Sequence, residues 1–459
     1  MQLAELFARA DDGPLMPQDQ FVMRRLVPAL RSSIKDLDIT WDKNTFVNSD
    51  DGLADRVFEA ALRLLETVGV YCPNSDRVME FSAAEIAAAV AGCPEMVEFG
   101  EGAERQTLRA RRPDSTARPW VHVGGGMNVS DETVYLRTVE GMASIVAADS
   151  IAAPSLPLVE GKPARAGSPQ EIMAAVRAVA LTRDGLRRAG RPGLPVLNAI
   201  STVAASSTMF AATHPEFGMR PSDGYLIDFL AEMIAGYESL QRVAYFTTLG
   251  APIASVATPM YGGYAGGAEG VAVLATAYMV AGRLLFRSCY HFNAPLHSRL
   301  LVVTAKPMLW ANSLANQAIT RNMPMSIFNT AYLAGGSGTR TSHLETAAYL
   351  LAVVSSGGHV YTGHAGSAAQ VDSLLPIDHE FQAEIGLAAA GVSRAEANRM
   401  VAVLYPLYES HLASPEPGRT YDEVYDRSTG RLTAKDLEVI REDVRDELVT
   451  VGVRLTKTL

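Results

Sequence analysis

The feature that most constrains this chain is a repeating rhythm over its second half. Helical periodicity and short β-branched or aromatic runs alternate, with the β-rich runs roughly 35 to 50 residues apart. Ser168-Pro169-Gln170-Glu171 opens the series as a capping box with proline at the first helical position. The helix it starts is expected to reach about Arg188, Gly190–Gly193 breaks the chain, and 194–200 reads as a strand. The pattern then predicts a helix over 225–237 and a strand over 243–248. A helix over 268–281 with a strand over 284–289 follows, then a helix over 306–322 with a strand over 325–328. The last pair is a helix over 343–354 and a strand over 359–362, with a final helix over 381–389. Such alternation indicates parallel strands with helical crossovers. The number of units and the length favour an eight-stranded (β/α)8 TIM barrel. An open doubly wound sheet is the runner-up, but it calls for a glycine fingerprint directly after the first strand, and none stands there.

Ahead of the rhythm, Leu53, Val57, Ala61, Leu65 and Val68 recur at helical spacing and Gly69 sits where a C-terminal cap belongs. A second short helix is expected over 81–90, and Glu98 to Val134 reads as extended or looped. The organisation expected is an N-terminal helical and β extension over 1–130 packed on a barrel over 131–459.

Charge and cysteine content narrow the function. A net charge of −10 argues against nucleic acid as a partner. Cys72, Cys93 and Cys289 are odd in number and far apart, so neither a disulfide framework nor a CxxC metal pair is present. The acidic, amphipathic start is unlike a signal peptide, and the apolar stretch around 271–280 reads as too short to cross a bilayer. These features predict a cytoplasmic protein that binds neither membrane nor nucleic acid.

In a barrel, chemistry gathers where strands end. The expected ends carry Asn198; Tyr290, His291, Asn293 and His297; Asn329 and Tyr332; and Gly363 and His364. The segment Tyr261 to Glu269 places four glycines around Tyr264, but no Lys-Ser or Lys-Thr follows, which argues against a nucleotide loop. Glu269 falls in the first turn of the next helix, where it either offsets the helix dipole or serves a site. His291 and His297 lack a carboxylate or cysteine at metal-ligand spacing, so no metal is expected. Glu345 is the remaining acidic candidate. Aromatic residues in the same loops offer faces to an ammonium group.

These segments, taken in order, resemble the monomethylamine methyltransferases of methanogens. The resemblance is carried by Val57 to Cys72, Ala189-Gly-Arg-Pro-Gly193, Gly262-Gly-Tyr-Ala-Gly-Gly267, and a C-terminal stretch from Ala389 through Leu407-Tyr408-Glu409 to Tyr425-Asp426. It implies a barrel enzyme, a homo-oligomer, that moves a methyl group from an amine to the Co(I) of a corrinoid (cobalamin) carried by a partner protein, with no cofactor of its own. His291, His297, Glu269 and Glu345 match the family, as does Tyr332. The resemblance aligns Leu197 with the family's pyrrolysine, and Leu226, Val256 and Thr330 with two carboxylates and a glutamine. It therefore implies Tyr332, His291, His297 and Glu345 as the catalytic set. Leu197, Asn198, Leu226, Val256, Tyr264, Glu269, Thr330 and His364 would form the substrate pocket. A chain without pyrrolysine is expected to act on a methylated amine other than monomethylamine, such as a quaternary ammonium or a sulfonium compound. The alternative is a repurposed barrel, a ligand-binding protein or a lyase or hydrolase built on the same His and Glu residues.

Overall fold

The structure, a computed structural model, describes residues 2–197, 205–216 and 218–455. Its centre is a ring of parallel strands. They are β1 (Val121–Gly124), β2 (Ser150–Ala152), β3 (residues 196–197), β4 (Tyr225–Asp228), β5 (Ile253–Ala257), β6 (Tyr290–Asn293), β7 (Ser326–Asn329) and β8 (Val360–Tyr361). Each pairs in parallel with the next: His122 with Ser150, Ile151 with Val196, Leu197 with Gly224, and so on to Phe328 with His359. Val360 then pairs with Val121, which closes the ring. One helix follows each strand: α1 (Glu132–Ala143), α2 (Pro169–Arg188), α3 (Ser206–Ala211), α4 (Tyr237–Leu249), α5 (Ala268–Leu285), α6 (Lys306–Asn322), α7 (Arg340–Ser355) and α8 (Pro376–Ala388). The barrel expected from the alternation is the barrel observed. It starts at Val121, ahead of the boundary expected at residue 131.

Three stretches of the rhythm fall out of phase with the sequence reading. The run 225–237 is a strand followed by an irregular connection, because Leu226 faces the barrel interior while Tyr225 and Ile227 face the helices. Glu232 and Met233 have positive φ values (65° and 59°), which no helix accommodates. The β-branched and aromatic run 243–248 lies inside α4, where Leu240, Val243 and Phe246 form the buried face. The strand expected over 284–289 begins only at Tyr290, because Leu284 and Leu285 complete α5 and Arg287 turns the chain at φ 56°.

Side chains alternate across each strand. The inward set is Ala152, Leu197, Ala254, Tyr290, Phe292, Phe328 and Tyr361, with Leu226 and Val256 packed on it. The N-terminal end of the ring is stoppered by a hairpin, Met96–Phe99 paired with Gln106–Arg109. Val97, Phe99 and Leu108 enter the interior there, and Phe99 meets Trp120 and Tyr290 at ring separations of 5.9 and 5.3 Å. Outside the ring, the helix Asp51–Val68 packs on α5 and α6. Asp50 caps that helix by accepting the Gly52 amide, and Gly69 closes it at φ 72°. α5 is apolar on nearly every face and, by length and composition, is long enough to cross a membrane, contrary to the sequence reading. Its composition follows from burial: the barrel lies on one side and the helix Asp51–Val68 on the other, and 89% of it is buried.

Candidate functional site

The C-terminal ends of the strands form the open end of the barrel. At its floor, His122 lies inside a box of rings, with centroids 4.6 Å from Tyr361, 5.4 Å from Phe292 and 5.6 Å from Phe328. Phe292 and Phe328 stack at 5.1 Å. His122 Nδ1 shares a hydrogen bond with Ser150 Oγ at 2.9 Å, whereas Nε2 is buried without a partner. Burial lowers the His122 pKa to about 3, so its imidazole is neutral at physiological pH.

Leu197, Leu226 and Val256 meet the same cluster of rings from strands β3, β4 and β5. Leu197 is fully buried, and a Cβ at Gly224 would lie 2.7 Å from its Cδ2. Thr330 directly follows β7; its amide donates to Asn293 O and its carbonyl accepts the Tyr349 hydroxyl. One layer outward, Tyr332–Leu333 pairs in parallel with His364–Ala365. Tyr332 and His364 meet edge to face at 5.2 Å, and His364 lies 6.3 Å from Tyr361. Burial pushes the Tyr332 hydroxyl pKa up and lowers that of His364 to about 4. Thus Tyr332, His364, Thr330, Leu226 and Val256 belong to one end of the barrel, and Leu197 lies deeper in its interior, beside Gly224. Asn198 lies outside the described residues.

The other expected site residues are elsewhere. His291 alternates with the inward Tyr290 and Phe292 and so points to the helix layer, where its Nδ1 bonds Ser255 Oγ at 2.8 Å. It is completely buried there, beneath α5, whose Gly282 leaves room for Ser255. His297 lies on an outer ribbon, Leu296–His297 paired with Met260–Tyr261, and its ring is 4.8 Å from Tyr261. Its Nδ1 accepts the amides of Arg299 and Leu300 at 3.3 Å.

Glu345 is also fully buried. Its carboxylate accepts the Ala334 amide at 2.9 Å, the Gly335 amide at 2.8 Å and the Thr304 hydroxyl, so it fastens the loops after β6 and β7. Tyr264 is 50% exposed and lines a surface groove with Met23, Val27 and Leu30. Glu269 accepts the Trp41 amide at 3.1 Å and tethers the N-terminal segment to α5. His291, His297 and Glu345 therefore do not converge, which removes the basis for a hydrolase or lyase built on them.

Sequence reasoning missed two groups. His122 lies in a stretch read as loop, although the flanking Val121 and Val123 carry the alternation of a strand. Asp228 falls inside the helix that the sequence pattern predicts over 225–237. It ends β4 on the inward face, in register with Val256, and its Oδ1 accepts Arg242 Nη1 at 2.8 Å. Taken together, this end of the barrel offers π faces, neutral imidazoles and phenols, apolar walls and the Asp228 carboxylate. Such a set can hold a small organic cation.

Comparison with known proteins agrees with this architecture. A family model described as monomethylamine methyltransferase MtmB matches residues 1–453. Monomethylamine methyltransferase MtmB2 of Methanosarcina acetivorans is 25% identical over 450 residues, covering 98% of this chain and 97% of the relative. MtmB2 of Methanosarcina barkeri is 26% identical over 412 residues, covering 90% and 89%. The crystal structure of Methanosarcina barkeri MtmB superposes with a TM-score of 0.94 at 22% identity, covering 99% of this chain and 98% of that one. A hydroxylamine complex of MtmB gives the same TM-score at 23% identity and the same coverage.

Proposed function

Because the chain belongs to the monomethylamine methyltransferase MtmB family, we propose that it takes a methyl group from a methylated, positively charged donor bulkier than monomethylamine. On this reading the donor is a quaternary ammonium or sulfonium compound, and the acceptor is a corrinoid held by a partner protein. Methyltransferase activity is the family's; the identity of the donor is the new element. On the same resemblance we read the protein as a cytoplasmic homo-oligomer.

The observation that carries the reading is the lining of the barrel's open end. Leu197, Leu226 and Val256 stand where the resemblance expects pyrrolysine and two carboxylates, and they share one apolar interior cluster with Phe292, Phe328 and Tyr361. Monomethylammonium carries three N–H donors, each of which loses its water on entering the barrel and requires an acceptor. Leucine and valine provide none. A quaternary or sulfonium cation donates no hydrogen bond and is stabilised by aromatic faces. Its leaving group also departs neutral, so no residue has to supply a proton to it. That agrees with a site in which His122 and His364 are held neutral at pH 7.

A reduced corrinoid supplies the nucleophile for the methyl group. The residues here fit a group that arrives from outside. The hairpin closes the N-terminal end of the barrel, while Leu226, Val256 and Asp228 stay partly exposed at the other. This chain's own task is to bind the donor, orient its methyl outward and keep water off the reacting carbon.

The test is incubation with reduced corrinoid protein and a panel of donors: monomethylamine, tetramethylammonium, choline and trimethylsulfonium. The corrinoid absorption spectrum follows the reaction and chromatography identifies the demethylated product. A quaternary or sulfonium donor should react and monomethylamine should not. Efficient turnover of monomethylamine would overturn the reading.

A further inference from the structure

The apolar lining leaves a question of charge, since the resemblance expects two carboxylates where Leu226 and Val256 stand. The inward positions of β4 are Gly224, Leu226 and Asp228. Gly224 faces Leu197 and Tyr290, and Leu226 packs on the ring cluster, so the two-residue period places Asp228 on the same face, one step nearer the open end. Its Cα partner on β5 is Val256, itself an inward residue. Among the described strand residues, Asp228 is the one carboxylate on the inward face.

The ion pair it forms is lopsided. The Arg242 side chain, from α4, is 1% exposed, while that of Asp228 is 28% exposed. Ser239 Oγ also donates to the Asp228 carbonyl at 3.0 Å, which fastens the end of the strand to α4. The cation is therefore buried under the helix, while the anion, placed on the inward face by the register of β4 and β5, keeps part of its surface exposed. A positively charged ligand in the opening lies nearer the carboxylate than the guanidinium, so attraction exceeds repulsion.

We propose that Asp228, held in place by Arg242, is the residue that selects a positively charged donor. This rests on the reading of the open end as the donor site. The carboxylate supplies the attraction that Leu226 and Val256 do not, from the rim rather than from the floor. The methylated head then rests on the rings while its charge faces Asp228.

Equilibrium binding to the full-length protein tests this without corrinoid or turnover. The probes are choline and its neutral isostere 3,3-dimethylbutan-1-ol, which share shape and differ in charge, titrated calorimetrically. The wild-type protein should bind choline more tightly than the alcohol. Asp228→Asn should lose about tenfold of that preference, the factor that corresponds to about 1.4 kcal/mol, with little change in affinity for the alcohol. Asp228→Glu, which keeps the charge, should retain the preference. It also decides the matter if removing the charge beside Arg242 prevents Asp228→Asn from folding.

A wild-type protein indifferent to charge, an Asp228→Asn variant that keeps its preference, or an Asp228→Glu variant that loses it would each overturn the proposal. The pair would then be a structural one. If the preference behaves as expected but no donor methylates a corrinoid, Asp228 stands as a cation site and the methyl-transfer reading falls.

Discussion

Lowering the pH should unfold this protein cooperatively, and the structure gives the size of the effect. Six histidines are buried: His122, His291, His343, His359, His364 and His379. Burial lowers the pKa to about 3 for His122, His291, His343 and His379, to about 4 for His364, and well below the ordinary value for His359. In the unfolded chain each titrates near 6.5. A depressed folded pKa gives stability that is present above the unfolded value and lost as pH falls, so the window runs from about pH 6.5 down towards 3. Six protons taken up on unfolding, at about 1.4 kcal/mol per pH unit each, amount to about 8 kcal/mol per unit between pH 5.5 and 4.5.

Buried carboxyl groups oppose this. The Asp378 pKa is raised to about 7, and those of Asp149, Glu232 and Glu345 are also raised, chiefly by burial. They gain stability as pH falls, and four such groups cancel at most four of the six protons. The net slope is then roughly 3 to 8 kcal/mol per unit, against a total stability of about 5–15 kcal/mol. A transition with a midpoint between about pH 4 and 5.5 follows. Circular dichroism and tryptophan emission across pH, with denaturant midpoints at each pH, measure it. His379→Gln should flatten the slope by about one proton. A denaturant midpoint unchanged from pH 7 to 4.5 would refute the reasoning, because it would mean that these imidazoles accept protons in place.

Three further outcomes follow from the placement of single side chains. Glu345→Gln has to turn an amide towards one of three donors and gives up charge-assisted bonds, so it should lower stability by about 2–4 kcal/mol. Methyl transfer should fall with it through loosening of the loop that carries Tyr332; a variant with normal melting and normal turnover contradicts the fastening role. Leu197→Ala should cost about 2–5 kcal/mol by opening a cavity beside Gly224 and Tyr290, as read by denaturant unfolding, and a loss below 1 kcal/mol would mean the side chain is not packed there. His291→Gln, behind the barrel wall, should leave the turnover number within a few-fold of wild type while lowering the melting temperature. A loss of 10² or more, the size typical of a missing general acid or base, would return His291 to the catalytic set.

Local pattern carried most of the architecture. The alternation of helical and β-rich runs specified a barrel, and the helix expected over 306–322 is α6 to the residue, because Lys306-Pro307 starts it and its periodicity is intrinsic to the chain. The capping residues around 51–69 act as their chemistry dictates. Where β-branched and aromatic residues sit on a helix, as over 243–248, pattern alone points the wrong way, since packing of Val243 and Phe246 overrides propensity.

What the sequence by itself determined is thus the fold class, the membership that its colinear motifs implied, and the strand ends from which a site had to come. The tertiary structure decided which way each strand-end residue faces. A strand has a period of two, so a shift of one residue exchanges inside for outside. That is why His122, unremarked in the sequence, stands in the barrel among the rings, while His291 stands behind the wall with Ser255. It also decided that Glu345 is a fastening and Asp228 a rim charge. Their roles depend on Thr304, Ala334, Gly335 and Arg242, residues brought to them only when each helix packs against its own strand and the neighbouring one.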